Sequence, residues 1–291
     1  MLGRAAIPLL QAAGHSVKAL VRSESAAATL VDTTSVVGDV WDRDFLRQQF
    51  VGADVVIMLA TAIPDSAKSG RAKAWKENSR IRAVLAPEVA RVARELAVGR
   101  LIQESVMYVY AEAGSALVTE ESLVEPTAQS ETCLAAEHAA RRFAADRDDA
   151  ATAVVLRFAG FVSADSEHVQ SALTTGRSRG RALVLGDLGG FITFVDVADA
   201  ATAVVHAVGL PGGIYNVGGN PSTKQEFLTV LTETVDRPVK PLPTPVRGLL
   251  VAAIPMSRAL HRSLRIDSTK LREHGWRPEF PDTQQMWQRA L

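Results

Sequence analysis

The chain has 291 residues, 47% hydrophobic and 22% charged, the balance of a folded protein with a sizeable core and not of a disordered or fibrous chain. Lys plus Arg and Asp plus Glu number 32 each, so no net field gathers nucleic acid or an anionic membrane, and neither partner is expected. One cysteine, Cys133, precludes an internal disulfide and a Cys-based zinc cluster; with no signal-peptide pattern and no apolar run of bilayer length, a cytoplasmic location is expected.

The opening stretch MLGRAAIPLLQAAGHSVKALVRS sets Ile7, Leu9, Leu10 and Ala13 at helical spacing after Gly3. A Gly-His turn and a strand-like run from Val17 to Val21 follow, so the stretch reads as the helix and second strand of a βαβ unit. WDRDFLRQQFVGA and the segment from Ala74 to Val98 place apolar residues three and four apart and predict helices. Asp54 to Ala60, Arg100 to Glu104 and Ala153 to Leu156 are short apolar runs and predict strands. Strands apolar throughout, alternating with helices, predict an α/β fold with a parallel sheet covered on both faces.

Past Leu156 the rhythm changes. A Ser/Gly/Arg-rich connection is expected at Thr174 to Gly180, then FITFVDVADAATAVVHAV and a strand-like GGIYNVGG. Asp196 stands where its side chain would cap the following helix. Pro238, Pro241, Pro243, Pro245 and Pro255 mark loops between short helices rather than a second sheet. There is no internal repeat and no linker separating independent domains.

Several positions have the character of a dinucleotide site. Such a fold runs a strand into a glycine-rich turn and a helix, because the diphosphate needs bare backbone and the helix amide dipoles. Gly3 has the place of the last glycine of that turn, although taken by itself it reads more simply as a turn glycine. Arg22 ends the next strand, where an arginine accommodates a 2′-phosphate and an acid would bind ribose hydroxyls, so NADP(H) is favoured over NAD(H). Asp39 and Val40 follow a short strand, and Ala60, Thr61 and Ala62 end the next, small enough for a flat ring or ribose to lie against backbone.

The order LGR…AGHSVKALVRS, GDVWD, DVVIMLATA, RLIQESVMYVY, VVLRFAGFVS, FVDVADAA and IYNVGG resembles the extended and atypical short-chain dehydrogenase/reductases, the NAD(P)-dependent epimerase/dehydratase family. The resemblance runs from Gly3 to about Pro278, where GWRPEFP is similar to the family's tail. It implies a Rossmann-like, doubly wound parallel sheet over residues 1–158 and a smaller C-terminal substrate region over 159–291, with 191–208 packing back on the first domain. It also implies a central first strand that this sequence lacks. Losing that strand removes five or six apolar residues worth ~1.5–3 kcal/mol each when buried, comparable to a domain's total stability of ~5–15 kcal/mol. The expectation is either a start upstream of Met1 or a shortened relic.

In the family a Ser or Thr, a Tyr and a Lys four residues later move the proton, the ammonium lowering the phenol pKa. Matching SVMYVYA puts Val106 at the hydroxyl position with Ser105 beside it, and matching QSETCLAAEHAAR puts Gln129 and Cys133 where Tyr and Lys belong. The relay is therefore expected to be absent and the catalytic residues are left unassigned. Tyr108 and Tyr110, read as sharing a strand face, lack a nearby Lys. Glu104 and Glu137 are candidate acid/base groups, Glu137 reading more simply as a solvated helix residue, and Cys133 reads as a buried apolar group. The six histidines are scattered and no Gly-x-Ser-x-Gly elbow occurs, which disfavours metal and hydrolase chemistry.

Together these readings assign Gly3, Arg22, Asp39, Val40, Ala60, Thr61, Ala62, Ser105 and Phe158 to the cofactor, and Tyr108 and Phe161 to the substrate. The expected function is NADP(H)-dependent hydride transfer on a small carbonyl or sugar-nucleotide-like substrate, with no metal. The alternative is a catalytically silent nucleotide-sensing or protein-binding module, or a truncated inactive product. A homodimer is compatible with either.

Overall fold

The apolar runs become a parallel sheet in the computed structural model, which describes residues 1–30, 32–145 and 151–291. Helix α1 (Leu2–Ala12) leads into strands β1 (Lys18–Val21) and β2 (Thr34–Val37), helix α2 (Arg43–Phe50) and strand β3 (Val55–Met58). A helical run of Lys76–Arg80, Ile81–Leu85 and Ala86–Glu95, the last being α3, precedes β4 (Arg100–Val106), α4 (Glu131–Ala144) and β5 (Thr152–Phe158). Then come β6 (Gly160–Val162), α5 (Glu167–Arg179), β7 (Phe194–Asp196), α6 (Val197–Ala207), β8 (Gly213–Val217) and α7 (Lys224–Val235).

Strands β8, β5, β4 and β3 lie side by side in that order, all parallel. β1 and β2 pair in parallel as a separate two-stranded sheet, and among the described residues no strand joins β1 to β3. Successive side chains of a strand point to opposite faces, and the two cores divide accordingly. Ile102, Val154 and Leu156 meet Ala6 of α1 and Ala203 and Ala207 of α6. Leu101, Ala153 and Val155 meet Leu46, Val92, Ala136 and Ala140 of α2, α3 and α4. Coverage on both faces is why these strands carry no polar alternation. A third core joins α5 and α7 to Phe194 and Trp287.

Local chemistry explains the element ends. Asp196 Oδ1 accepts the Ala198 amide at 2.8 Å and caps α6. Thr223 and Glu226 form a reciprocal capping box on α7. The helical run before β4 widens at Ile81–Leu85 to one extra residue per turn. Pro87, just beyond, has no amide to donate and its ring would crowd a regular turn.

Three expectations are corrected. The Thr174 to Gly180 stretch is no connection: it forms the last turns of α5, closed by Gly180 at φ +60°. Gly176 lies inside α5 against Val235 and Val239, where a Cβ would make ordinary contact at 3.4–3.5 Å. Tyr108 and Tyr110 do not share a strand face, because Met107–Val109 turns as a short 3-10 helix right after β4. Glu137 is not solvated; it is 4% exposed and sits on the same face of α4 as Cys133, Ala136 and Ala140.

Glu137 is the centre of a buried polar chain. Its Oε1 accepts the Ser105 hydroxyl at 2.5 Å and Arg157 Nε at 2.9 Å, and its Oε2 accepts Arg157 Nη2 at 2.7 Å. The Arg157 guanidinium lies 4.8 Å from the centre of the Tyr110 ring, and the Tyr110 hydroxyl donates to Asn216 Oδ1 at 2.7 Å. The chain thus ties α4 through β5 to β8. Glu104 makes its own buried pair with Arg82 at 2.6 Å. Removing one member of such a pair leaves an uncompensated charge and costs about 3–5 kcal/mol, whereas an apolar pair of similar volume is tolerated. Glu137→Ala is therefore expected to lower the urea midpoint steeply, with Glu137→Leu/Arg157→Met recovering most of the loss; equal loss in both variants would contradict this.

Lys224 opens α7 only 1% exposed, and its Nζ donates to the His261 carbonyl at 2.7 Å. Burial pushes its pKa down from 10.5 to about 8, against the opposing pull of Glu112 and Asp187. Between those values the unfolded chain holds more protons than the folded one, so this group's contribution to stability rises with pH. The urea midpoint should gain more between pH 8 and 10 in the parent chain than in Lys224→Met. Parallel profiles would refute the buried-lysine account.

Candidate active site

In open α/β sheets ligands bind outside the carboxyl ends of the strands, and most of the sequence-derived candidates gather there. The amino end of α1 carries no side-chain cap and no acid in its first turn. Gly3 lies in that turn, with open space where a Cβ would project. The Ser166 hydroxyl approaches Met1 Sδ at 3.3 Å, so this helix end lies beside the segment following β6. First-turn amides without internal partners are potential donors to an anion.

Arg22 leaves β1 exposed and without an ion-pair partner among the described residues. The Gly38 amide donates to the Val21 carbonyl at 3.0 Å, which sets Arg22 beside the turn that carries Asp39. Asp39 Oδ1 accepts the Trp41 amide at 2.9 Å and its carbonyl accepts the Asp42 amide at 3.0 Å, fixing a tight turn. Val40, Trp41 and Ala62 are half-buried and pack against the same core cluster. Ala60 and Thr61 are exposed, and the Ala62 amide is held by Asn78 Oδ1 at 2.9 Å.

Ser105 and Phe158 turn their side chains into the core, 0% and 1% exposed, with the Ser105 hydroxyl spent on Glu137. Adjacent registers, Ser105 with Arg157 and Val106 with Phe158, put both beneath the strand ends. Phe161 is half-buried, its ring 5.2 Å from that of Phe158. Tyr108 is half-buried on the turn after β4, and its carbonyl accepts the Ser130 hydroxyl at 2.9 Å. Burial pushes the Tyr108 phenol up to about 12, with no cation to bring it down. Next to Ser130, Gln129 is 8% exposed and its Oε1 has no hydrogen-bond partner. Cys133, at the expected lysine position, is fully buried with its thiol pushed up to about 12 by burial. No ammonium serves Tyr108, and no cluster of three metal-ligating side chains occurs among the described residues.

Two residues absent from the sequence reading hold these strand ends from behind. Asn78 binds the loop after β3, and Arg82 binds Glu104 on β4. Their signal in the sequence is a polar side chain recurring at i and i+4 on the apolar face of a helix. A cavity of about 740 Å³ lined by Leu9, His15, His206 and Trp276 lies by the last turn of α1, the end opposite its free amides, and takes no part in this arrangement.

The fold agrees with the comparisons. Human epimerase family protein SDR39U1, solved with NADPH, superposes with a TM-score of 0.81 at 18% identity, covering 100% of this chain and 95% of that one. DesIV, a dTDP-glucose 4,6-dehydratase from Streptomyces venezuelae solved with NAD, gives 0.77 at 19% identity over 99% and 92% of the two chains. The UDP-glucose 4-epimerase of Thermus thermophilus in complex with NAD gives 0.76 at 18% over 100% and 94%. A search of curated protein sequences returns no match. The fold shared with these structures is the Rossmann fold. The sequence model of the NAD dependent epimerase/dehydratase family matches residues 1–218, and the chain belongs to that family.

Proposed function

We propose that this chain binds NADP(H) across the carboxyl ends of its strands and transfers hydride on a small carbonyl or sugar-nucleotide-like substrate. The observation that carries the reading is the uncapped amino end of α1, set with open space at Gly3 on the ligand-binding side of the sheet. Its amides suit a diphosphate, and the small Ala60, Thr61 and Ala62 leave room for ribose. Asp39 and Val40 border the adenosine, while Ser105 and Phe158 form the floor beneath the nicotinamide. Arg22, exposed and without an ionic partner among the described residues, supplies the cation for a 2′-phosphate. Family membership and the dinucleotides named with the solved relatives support a nicotinamide cofactor, and the sugar nucleotides in the relatives' names support the substrate class.

When bound, the cofactor supplies or accepts the hydride. The chain's own part is to position the substrate. Tyr108, with its phenol pushed up to about 12, stays protonated at neutral pH and donates a hydrogen bond to a substrate oxygen rather than abstracting a proton. Phe161 offers an apolar wall.

Calorimetric titration with NADPH and NADH tests the reading, followed by NADPH oxidation with a panel of aldehydes, ketones and quinones. A hydrogen bond to a charged group is worth ~1.5–3 kcal/mol, so Arg22→Ala should weaken NADPH binding by about ten- to a hundredfold and leave NADH nearly unchanged. Equal loss for both would overturn the NADP assignment, and binding of neither by the parent chain would overturn the function.

A further inference from the structure

The cavity of about 740 Å³ by the last turn of α1 stands apart from everything assigned above. Arg100, which opens β4, donates to the Leu210 carbonyl at 2.6 Å, so the cavity lies toward the amino ends of the strands. Leu9 of α1, Val205 of α6 and, in the loop that follows, Val208 and Leu210 make its apolar walls. Leu9 is exposed there although its neighbours Ala6 and Leu10 are buried. The volume is that of a small-molecule site. Its walls are held by contacts of their own. Trp276 Nε1 donates to Thr202 Oγ1 at 3.0 Å, and His206 Nε2 bonds the His274 carbonyl at 2.6 Å. Gly275, at φ +100°, carries the chain so close to the His206 ring that a Cβ would touch it at 3.5 Å.

The charge of the lining has one sign. Its polar members are His15, Thr202, His206, His274 and Arg277, with no Asp or Glu among them. Arg277 spends Nη1 on the carbonyls of Arg272 and Trp276, and its Nε and Nη2 have no partner among the described residues. The exposed His15 and His274 rings have no hydrogen-bond partner among those residues either. The helix-end carbonyls that would draw a cation are already taken. Arg100 holds those of Ala207 and Leu210, and the Gly14 and His15 amides hold those of Gln11 and Leu10.

We propose that this cavity binds an amphipathic carboxylate, its apolar chain along Leu9, Val205, Val208 and Leu210 and its carboxylate on the free edge of Arg277. The Nε and Nη2 of a guanidinium form the fork that a carboxylate meets with two parallel hydrogen bonds. His15 and His274 add ring N–H donors beside it. The site shares no residue with the dinucleotide reading and stands or falls independently of it.

The test is calorimetric titration of the full chain with decanoate below its micelle concentration, beside decanol and acetate. Decanoate should bind at one site, decanol about tenfold or more weakly for want of the charged hydrogen bonds, and acetate without measurable heat. Arg277→Gln should weaken decanoate by about tenfold and leave decanol unchanged. Arg277 is exposed, so its replacement leaves the core intact. Ala13→Trp, which fills the cavity from an exposed position just beyond α1, should abolish binding of both. Saturating NADP⁺ should leave the decanoate affinity as it is. Decanol bound as tightly as decanoate, or parental affinity in Arg277→Gln, overturns the carboxylate assignment. Binding that survives Ala13→Trp, competition by NADP⁺, or no decanoate binding by the parent chain overturns the site.

Discussion

A guanidinium in the middle of a sheet must find a carboxylate, and in this chain the positions around the candidate site follow from that demand. Arg157 lies in β5, 3% exposed, where a lone charge would cost several kcal/mol. Glu137 answers it from α4, and the same carboxylate takes the Ser105 hydroxyl of β4. Three elements are locked in one register by one side chain. The helix so fixed brings Ser130 to the Tyr108 carbonyl, which sets the turn after β4 and places Gln129 next to it. Such a pair contributes little net stability against a well-packed apolar substitute; its effect here is to determine where neighbouring groups stand.

A second brace acts on the other side of the site. The run from Lys76 to Glu95 cannot be a regular helix through Pro87, and the widened turn it adopts carries Arg82 against Glu104. One turn earlier, Asn78 holds the loop after β3. The ends of β3, β4 and β5 are thus held by buried polar contacts, while the surface above them is lined by small residues and an uncapped helix end. Rigid support below and sparse side chains above suit a large, flat, anionic ligand better than a small compact one.

Much of this was legible in the sequence, and the failures have common causes. The central strands stand out where burial on both faces leaves apolar stretches such as Val55–Met58 and Ala153–Leu156. Their ends extend further than the runs, as in Arg100–Val106, because parallel partners carry Ser105 and Val106 along in register. The last turns of α5 resemble a linker in sequence because Ser, Gly and Arg carry no helical apolar pattern there. Glu137 read as a surface residue because its partner is 20 positions away and no local pattern announces it. The site divides similarly. Gly3, Arg22 and the loop residues are candidates that strand-end logic proposes, and the helix after them offers no Tyr and Lys at the expected positions. Asn78 and Arg82 act through tertiary contacts.

The central claim concerns where a diphosphate rests, and a crystal structure of the chain soaked with NADP⁺ tests it most directly. The diphosphate is expected on the first-turn amides of α1, beside Gly3, with the adenosine running toward Arg22. A diphosphate seated elsewhere, or an α1 amino end covered by the chain's own side chains, would contradict it.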